Sequence, residues 1–268
     1  MNKNYVTLLL LLTACTTTQQ TTTTVPPPPS TTVADGKLFT ALYQQHAAEY
    51  KALCFQAYNV ARMNLDRDSH LEMGVKKPAI VTDIDETVLD NSPFAVREGL
   101  MGNDYDQNAW YNWTSQASAD TVPGAPAFLK YAASKGITVF YITNRDEKER
   151  NSTLRNLQKY GLPNADSTHL FLRSTTSSKE TRRQLIISNY EILMLIGDNL
   201  ADFSMLFDKK SETERNMNVT QLRNEFGSRF IVLPNPNYGD WENAVYQYNY
   251  NLSPAQKDSV IRRVLKSY

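Results

Sequence analysis

Apolar residues along this chain gather into short continuous runs that alternate with longer stretches of helical spacing. The first run, Ala79-Ile80-Val81, follows Pro78 and gives way to Thr82-Asp83-Ile84-Asp85-Glu86-Thr87. Further runs occupy 137–142, 169–172, 191–196 and 229–233, each the length of a buried strand rather than a helix. Between them, residues 124–135, 147–160 and 179–189 carry polar faces at helical spacing, and Gly161 closes the second of these segments. Residues 34–66 read as one or two amphipathic helices ahead of the first strand. Residues 253–268, opening on Ser253-Pro254, read as a terminal helix. The charged stretch 208–227 reads as an insertion or a helical arm. This alternation predicts an α/β fold built on a doubly wound parallel sheet, with helices at both ends of the chain.

Chemistry collects where the runs stop. Asp83 and Asp85, spaced i, i+2, fall just past the carboxyl end of the first predicted strand, where open α/β sheets bind ligands. Two acids at one strand end repel each other unless a cation or a shared proton separates them. The arrangement suits a hard cation such as Mg²⁺, with one carboxylate free to attack phosphorus. The second run stops at Thr143-Asn144-Arg145 and the run 192–196 at Gly197-Asp198, with Asp202 four residues on; Lys179 opens a predicted helix between them. Independent acidic loops do not account for four aspartates, a threonine and a lysine at three strand ends. Other phosphate chemistries are excluded by what is missing. Cys54 begins no Cys-x5-Arg loop, the three histidines lie in no Arg-His-Gly context, and there is no Gly-x4-Gly-Lys loop.

These residues resemble the four motifs of the haloacid dehalogenase (HAD) superfamily, matched here by Asp83-x-Asp85-x-Thr87, Thr143, Lys179 and Gly197-Asp198-x-x-x-Asp202. The stretches 83–93 and 197–203 resemble the class C acid phosphatases, and more narrowly the bacterial lipoprotein e(P4) group. The resemblance runs from about Leu38 to the last residue. It implies a HAD-like Rossmannoid core with a small helical and aromatic insertion. It implies Asp83 as the nucleophile, forming an aspartyl-phosphate, and Asp85 as general acid and base. One Mg²⁺ per active site would sit on an oxygen of Asp83, the main-chain carbonyl of Asp85 and the carboxylate of Asp198. Asp202 would hold a metal-bound water or Lys179. Thr143 and Lys179 would bind phosphate oxygens, with Asn144 of the same turn a further candidate. An aromatic pair, here Trp110 and Tyr238, would sandwich the organic part of the substrate. Trp110 belongs to the ring-rich segment 94–123, some of whose rings must pack the domain's own core. Stacking accepts many aryl groups without reading their edges. The implied activity is acid phosphatase, on phosphomonoesters and nucleoside 5′-monophosphates in particular, and the implied assembly is a homodimer. Asp85 itself argues against dehalogenation, because a departing halide needs no proton.

The start of the chain has another character. Residues 1–14 read as a signal peptide, with Lys3 ahead of a short apolar core at 6–12 that cannot span a bilayer. Leu12-Thr13-Ala14-Cys15 resembles a lipobox, which makes Cys15 the lipidation site and the membrane anchor. Residues 15–34, nearly all Thr, Gln and Pro at first, read as an extended tether. That leaves 35–268 as the phosphatase domain, about 235 residues, enough for one full core. Thr16 after the cysteine resembles the outer-membrane sorting pattern of Gram-negative bacteria, so the expected location is the bacterial cell envelope. Lys+Arg and Asp+Glu both number 28, so no basic excess points to a nucleic-acid polymer as partner. Cys54 is the domain's sole cysteine and has no disulfide partner there. A non-catalytic, ligand-binding surface lipoprotein on the same scaffold is the alternative function.

Overall fold

Ala79, Ile80 and Val81 have no polar side chain to offer either face, and the strand they form is buried on both. A computed structural model describes residues 31–68 and 76–268. The predicted leader, Cys15 and the tether up to residue 30 lie outside the described residues. The chain opens with α1 (Thr32–His46) and α2 (Ala48–Asp68), then enters β1 (Lys77–Thr82). There follow β2 (Leu89–Asp90), α3 (Ser92–Leu100), α4 (Gln107–Ser115), β3 (Asp120–Thr121) and α5 (Ala125–Ser134). β4 (Thr138–Asp146), α6 (Arg150–Lys159), β5 (Leu170–Arg173), α7 (Glu180–Ile187) and β6 (Tyr190–Gly197) continue the alternation. α8 (Glu212–Gln221), β7 (Phe230–Val232), α9 (Asp240–Val245) and α10 (Pro254–Val264) complete it.

Among the described residues the main sheet is parallel throughout, in the order β5-β4-β1-β6-β7. Its two faces sort the strand residues by parity, as a pleat requires. Ile80, Val139, Tyr141, Met194 and Ile196 join Tyr58 and Leu65 of α2 and Phe128 and Leu129 of α5 in one core. Ala79, Val81, Phe140, Ile142 and Leu195 point the other way, toward Ile186 of α7 and Phe203. Helices thus cover both faces, and the chain builds outward from β1 to β4 and β5 before crossing to β6 and β7. The reversal places a switch point at the carboxyl end of β1, where a crevice opens.

All five predicted main-sheet strands form, as do the helices between them. Residues 34–66 resolve into two helices rather than one, and the polar segment 208–227 contains α8. The 94–123 insertion is helical in α3 and α4, and closes with the two-residue strand β3 on β2. Residues 32–34, given to the tether on composition, belong instead to α1. The reason is local: Thr31 is an effective N-cap, its hydroxyl accepting from the Ala34 N–H at 3.2 Å, and Val33 and Ala34 are buried. No described helix is long and apolar enough to cross a membrane.

One hydrogen bond links the covering layer to the loop that matters. The Tyr58 hydroxyl of α2 donates to the Thr87 carbonyl at 2.6 Å, with both residues buried. Tyr58→Phe removes the donor and leaves that carbonyl unmatched, so it should cost about 1 kcal/mol of stability. The measurement is a urea denaturation curve, whose midpoint should fall while its slope stays fixed.

Candidate active site

Asp83 is the first residue beyond β1, and its N–H donates to the Ile196 carbonyl of β6 at 2.9 Å. That bond extends the sheet pairing by one step and aims the side chain into the crevice. Its carboxylate accepts from Lys179, which stands just ahead of α7, and Lys179 also lies 2.6 Å from Asp202. One carboxylate oxygen from each of Asp83, Asp198 and Asp202 falls within 4.8 Å of the others. Asp198 is held by Thr87 Oγ1 at 3.0 Å and Asn235 Nδ2 at 2.7 Å. Asp202 turns back to accept from the Asn199 N–H at 3.0 Å, closing a capping box over the short 3₁₀ turn Leu200–Asp202. Gly197 makes that fold-back possible: a Cβ there would stand 2.3 Å from Asp202 Oδ2.

Asp85 goes elsewhere. Its carboxylate makes a forked ion pair with Arg145, with Nη2 at 2.8 Å and Nε at 3.0 and 3.2 Å from its two oxygens. Asn91 Nδ2 at 2.9 Å and Thr143 Oγ1 at 3.3 Å complete its surroundings. The expected ligand from Asp85 is its main-chain carbonyl, so a side chain directed at Arg145 is compatible with that expectation. Thr143 is fully buried, with its hydroxyl engaged by Asp85 and by the Arg145 N–H at 3.1 Å. Asn144, the next residue, is the one that lines the cleft.

The electrostatics follow from burial. Asp83 titrates well above the ordinary carboxylate range, through burial first; Lys179 opposes the shift, and Asp202, Asp198 and Asp85 add to it. Asp198 is pushed up to about 7, by burial and then by Asp202. Glu86, directly after the second motif aspartate, rises to about 8 for want of water and because Asp85 is adjacent. Burial disfavours the Lys179 charge too, but Asp202 and Asp83 outweigh it and raise its pKa. Carboxylates held this unwillingly charged lack positive charge, and three oxygens so close are hard ligands suited to a divalent cation.

These residues line one cleft of about 750 Å³ that also takes in Glu86, Tyr105, Trp110 and Tyr238. Trp110 is 8 % exposed and meets Phe94 edge-on at 5.1 Å, so it packs the interior while lining the cleft. Tyr238 is 37 % exposed as a residue, while its hydroxyl reaches inside to Glu86. Several participants escaped the sequence reading. Arg145 sat unremarked at the end of a recognised turn. Arg182 bridges the Thr143 carbonyl at 2.5 Å and Asn144 Oδ1 at 2.7 Å, which turns the Asn144 amide nitrogen away from it. Asn235 had no motif around it. Glu86 was in plain view inside the motif, and its backbone φ of 57° is a left-handed conformation that costs a non-glycine residue roughly 1 kcal/mol or more.

A mostly parallel sheet with this constellation at its switch point defines a HAD-type phosphatase fold. The family model described as HAD superfamily, subfamily IIIB (Acid phosphatase), matches residues 6–241, and the chain belongs to that family. The class C acid phosphatase from Bacillus anthracis is 42% identical, with a TM-score of 0.84 over 88% of this chain and 99% of that one. Its structure with tungstate bound is 42% identical at a TM-score of 0.83, over 88% and 98%. More distantly, the Stem 28 kDa glycoprotein of Glycine max is 25% identical over 73% of this chain and 70% of that protein. Acid phosphatase 1 of Solanum lycopersicum is 24% identical over 59% and 57%. The protein is a phosphomonoesterase of HAD type, which leaves the non-catalytic alternative without support.

The raised carboxylates make a prediction about stability. Without a cation, Asp83 and Asp198 hold protons more tightly than they do in the unfolded chain. The stability they contribute is fully present below the ordinary carboxylate pKa of about 4 and is lost as pH rises through the folded value. For Asp198 that folded value is about 7. Thermal midpoints of cation-free protein should therefore decline between about pH 5 and about pH 8 more steeply in wild type than in Asp198→Asn. A saturating divalent cation, which favours the ionised carboxylates, should remove the difference. Equal slopes without the cation would contradict this account.

Proposed function

We propose that this chain is a membrane-tethered, Mg²⁺-dependent acid phosphatase acting on nucleoside 5′-monophosphates and related esters. The observation that carries the reading is one cleft with the Asp83–Lys179–Asp202 cluster and Asp198 at one part of its lining and Trp110 and Tyr238 at another. Phosphoryl transfer asks for positioning and charge neutralisation, and this cluster is suited to both. Tungstate, bound in the Bacillus anthracis relative, has the tetrahedral oxyanion shape of phosphate.

In the proposed reaction an Asp83 oxygen attacks phosphorus and forms an aspartyl-phosphate, while the bond from phosphorus to the alcohol oxygen breaks. Asp85, two residues on and oriented by Arg145, gives that oxygen its proton. A water then attacks the aspartyl-phosphate, Asp85 takes up its proton, and phosphate leaves with Asp83 restored. Lys179 and the Asn144 amide hold phosphate oxygens; Thr143 acts on the same turn from beneath through Asp85. Asp83, the Asp85 carbonyl and Asp198 would hold Mg²⁺, with Asp202 keeping Lys179 in place, and the bound ion would supply positive charge to the phosphate oxygens. Trp110 and Tyr238 take the flat organic group between them, which gives broad acceptance of bases and aryl groups. With Cys15 lipidated and the domain held at the outer membrane, such an enzyme removes the charge that bars nucleotides from uptake as nucleosides.

Phosphate release from nucleoside 5′-monophosphates, 3′-monophosphates and aryl phosphates tests the chemistry. Asp83→Asn should lower kcat on the order of a thousandfold or more. EDTA should abolish turnover and Mg²⁺ restore it, with 5′-nucleotides preferred. Metal-independent turnover, or activity surviving Asp83→Asn, would sink the mechanism. The anchor is tested separately. Cys15→Ser in the full chain should move the protein from the membrane pellet to the supernatant, and retention in the pellet would refute lipid tethering.

A further inference from the structure

The buried face of α1 is made of Val33, Ala34, Lys37, Ala41 and Gln44. A lysine and a glutamine are costly to bury without partners, so where their polar atoms go is informative. Lys37 Nζ lies 3.1 Å from Asp104 Oδ1 and 3.3 Å from the Asn237 carbonyl. Thr40, one turn on, donates its hydroxyl to the Asn237 side chain. Gln44, another turn on, accepts from Asn237 Nδ2 at 2.5 Å and donates to Asp90 at 2.8 Å. Spacing of i, i+3 and i+7 puts the three on one side of the helix. Two of the three partners, Asp104 and Asn237, line the cleft.

Two of those partners adjoin its aromatic walls. Asn237 precedes Tyr238. Asp104 precedes Tyr105, whose ring is 5.9 Å from Phe94 and 6.5 Å from Trp110. The single ammonium of Lys37 therefore joins the loop carrying Tyr238 to the loop that leads into α4, the helix carrying Trp110. Lys257 of α10 makes a second ion pair with Asp104, and burial of Asp104 is outweighed by the two lysines, which hold its pKa low. Asn237 is in turn tied back to the carboxylate cluster, because its N–H donates to Asn235 Oδ1 at 2.9 Å and Asn235 holds Asp198.

We infer that Lys37, seconded by Thr40 and Gln44, is a positioning residue that sets the separation of the Trp110 and Tyr238 walls and thereby the preference for substrates with flat organic groups. This rests on the reading that those two rings face the substrate. Lys37 touches no reacting atom, so its effect falls on binding of the organic group and spares substrates that lack one.

The test is steady-state kinetics of the full chain on adenosine 5′-monophosphate and on β-glycerophosphate, whose alkyl group has no ring to stack. The quantity read is the ratio of the two KM values. Lys37→Met should raise the ratio, nucleotide over alkyl ester, about fivefold, the size expected for misplacing one aromatic contact. Lys37→Arg should restore most of it. Thr40→Val, a near-isosteric change, should shift the ratio the same way by less, and it carries the test if Lys37→Met folds poorly. In a Tyr238→Leu background, Lys37→Met should leave the ratio where Tyr238→Leu has put it. A moved ratio in Tyr238→Leu with unmoved ratios in Lys37→Met and Thr40→Val would overturn the inference alone. So would additive effects in the double variant. An unmoved ratio in Tyr238→Leu would sink the stacking reading and this inference with it.

Discussion

Buried negative charge is the constraint around which this molecule is arranged. Two carboxylates about 4 Å apart repel by on the order of 4 kcal/mol at an effective dielectric near 20, and here three approach one another closely in a cleft with a fourth nearby. The fold tolerates them because each has a partner. Lys179 serves Asp83 and Asp202, Arg145 serves Asp85, and Thr87 with Asn235 serves Asp198. Neutralisation is incomplete, as the raised pKa values of Asp83 and Asp198 record. The deficit marks Asp83, Asp198 and Asp202 as a cluster that could hold a divalent cation.

The partners come from different segments, so every compensating contact is also a crosslink. Lys179 joins the loop before α7 to the ends of β1 and β6. Arg145 joins the end of β4 to the loop after β1, and Asn235 joins the segment after β7 to the end of β6. Arg182 adds a tie between the β4 turn and the loop ahead of α7 without any carboxylate, through the Thr143, Ser177 and Ser178 carbonyls. Burial lowers its pKa to about 10, yet it stays charged at working pH and adds to the positive side of the balance. A parallel sheet is what allows this economy, because all its carboxyl ends face one edge.

That same logic decides what could be read in the sequence. The strands were legible because burial on both faces demands unbroken apolar runs. Asp83, Asp85, Asp198 and Asp202 were legible because they follow those runs at fixed short spacing, and Lys179 because it opens a helix between them. Arg145 and Asn235 were not, since nothing local distinguishes a compensating cation or amide from an exposed one; Asn235 meets Asp198 across 37 residues. Lys37 was hidden more deeply, because a lysine in an amphipathic segment is ordinarily solvated and its partner Asn237 is 200 residues away. Trp110 posed a choice between pocket and core, and its ring both packs Phe94 and lines the cleft. The limits of α1 turned on a single capping threonine inside a run of threonines, where composition outweighed geometry.

Two kinds of support meet in this cleft. The carboxylate end rests on strand termini in a close-packed sheet, and in-line attack on phosphorus requires that rigidity. The aromatic end rests on α4 and on loops tied by hydrogen bonds and ion pairs to α1 and α10. The separation is not complete. The Arg145 guanidinium forks onto Asp85 and also lies over the Trp110 ring, 5.6 Å from its centroid. A change that moves the ring therefore acts on the guanidinium that also holds Asp85. One buried guanidinium thus ties the aromatic lining of the cleft to its carboxylate end.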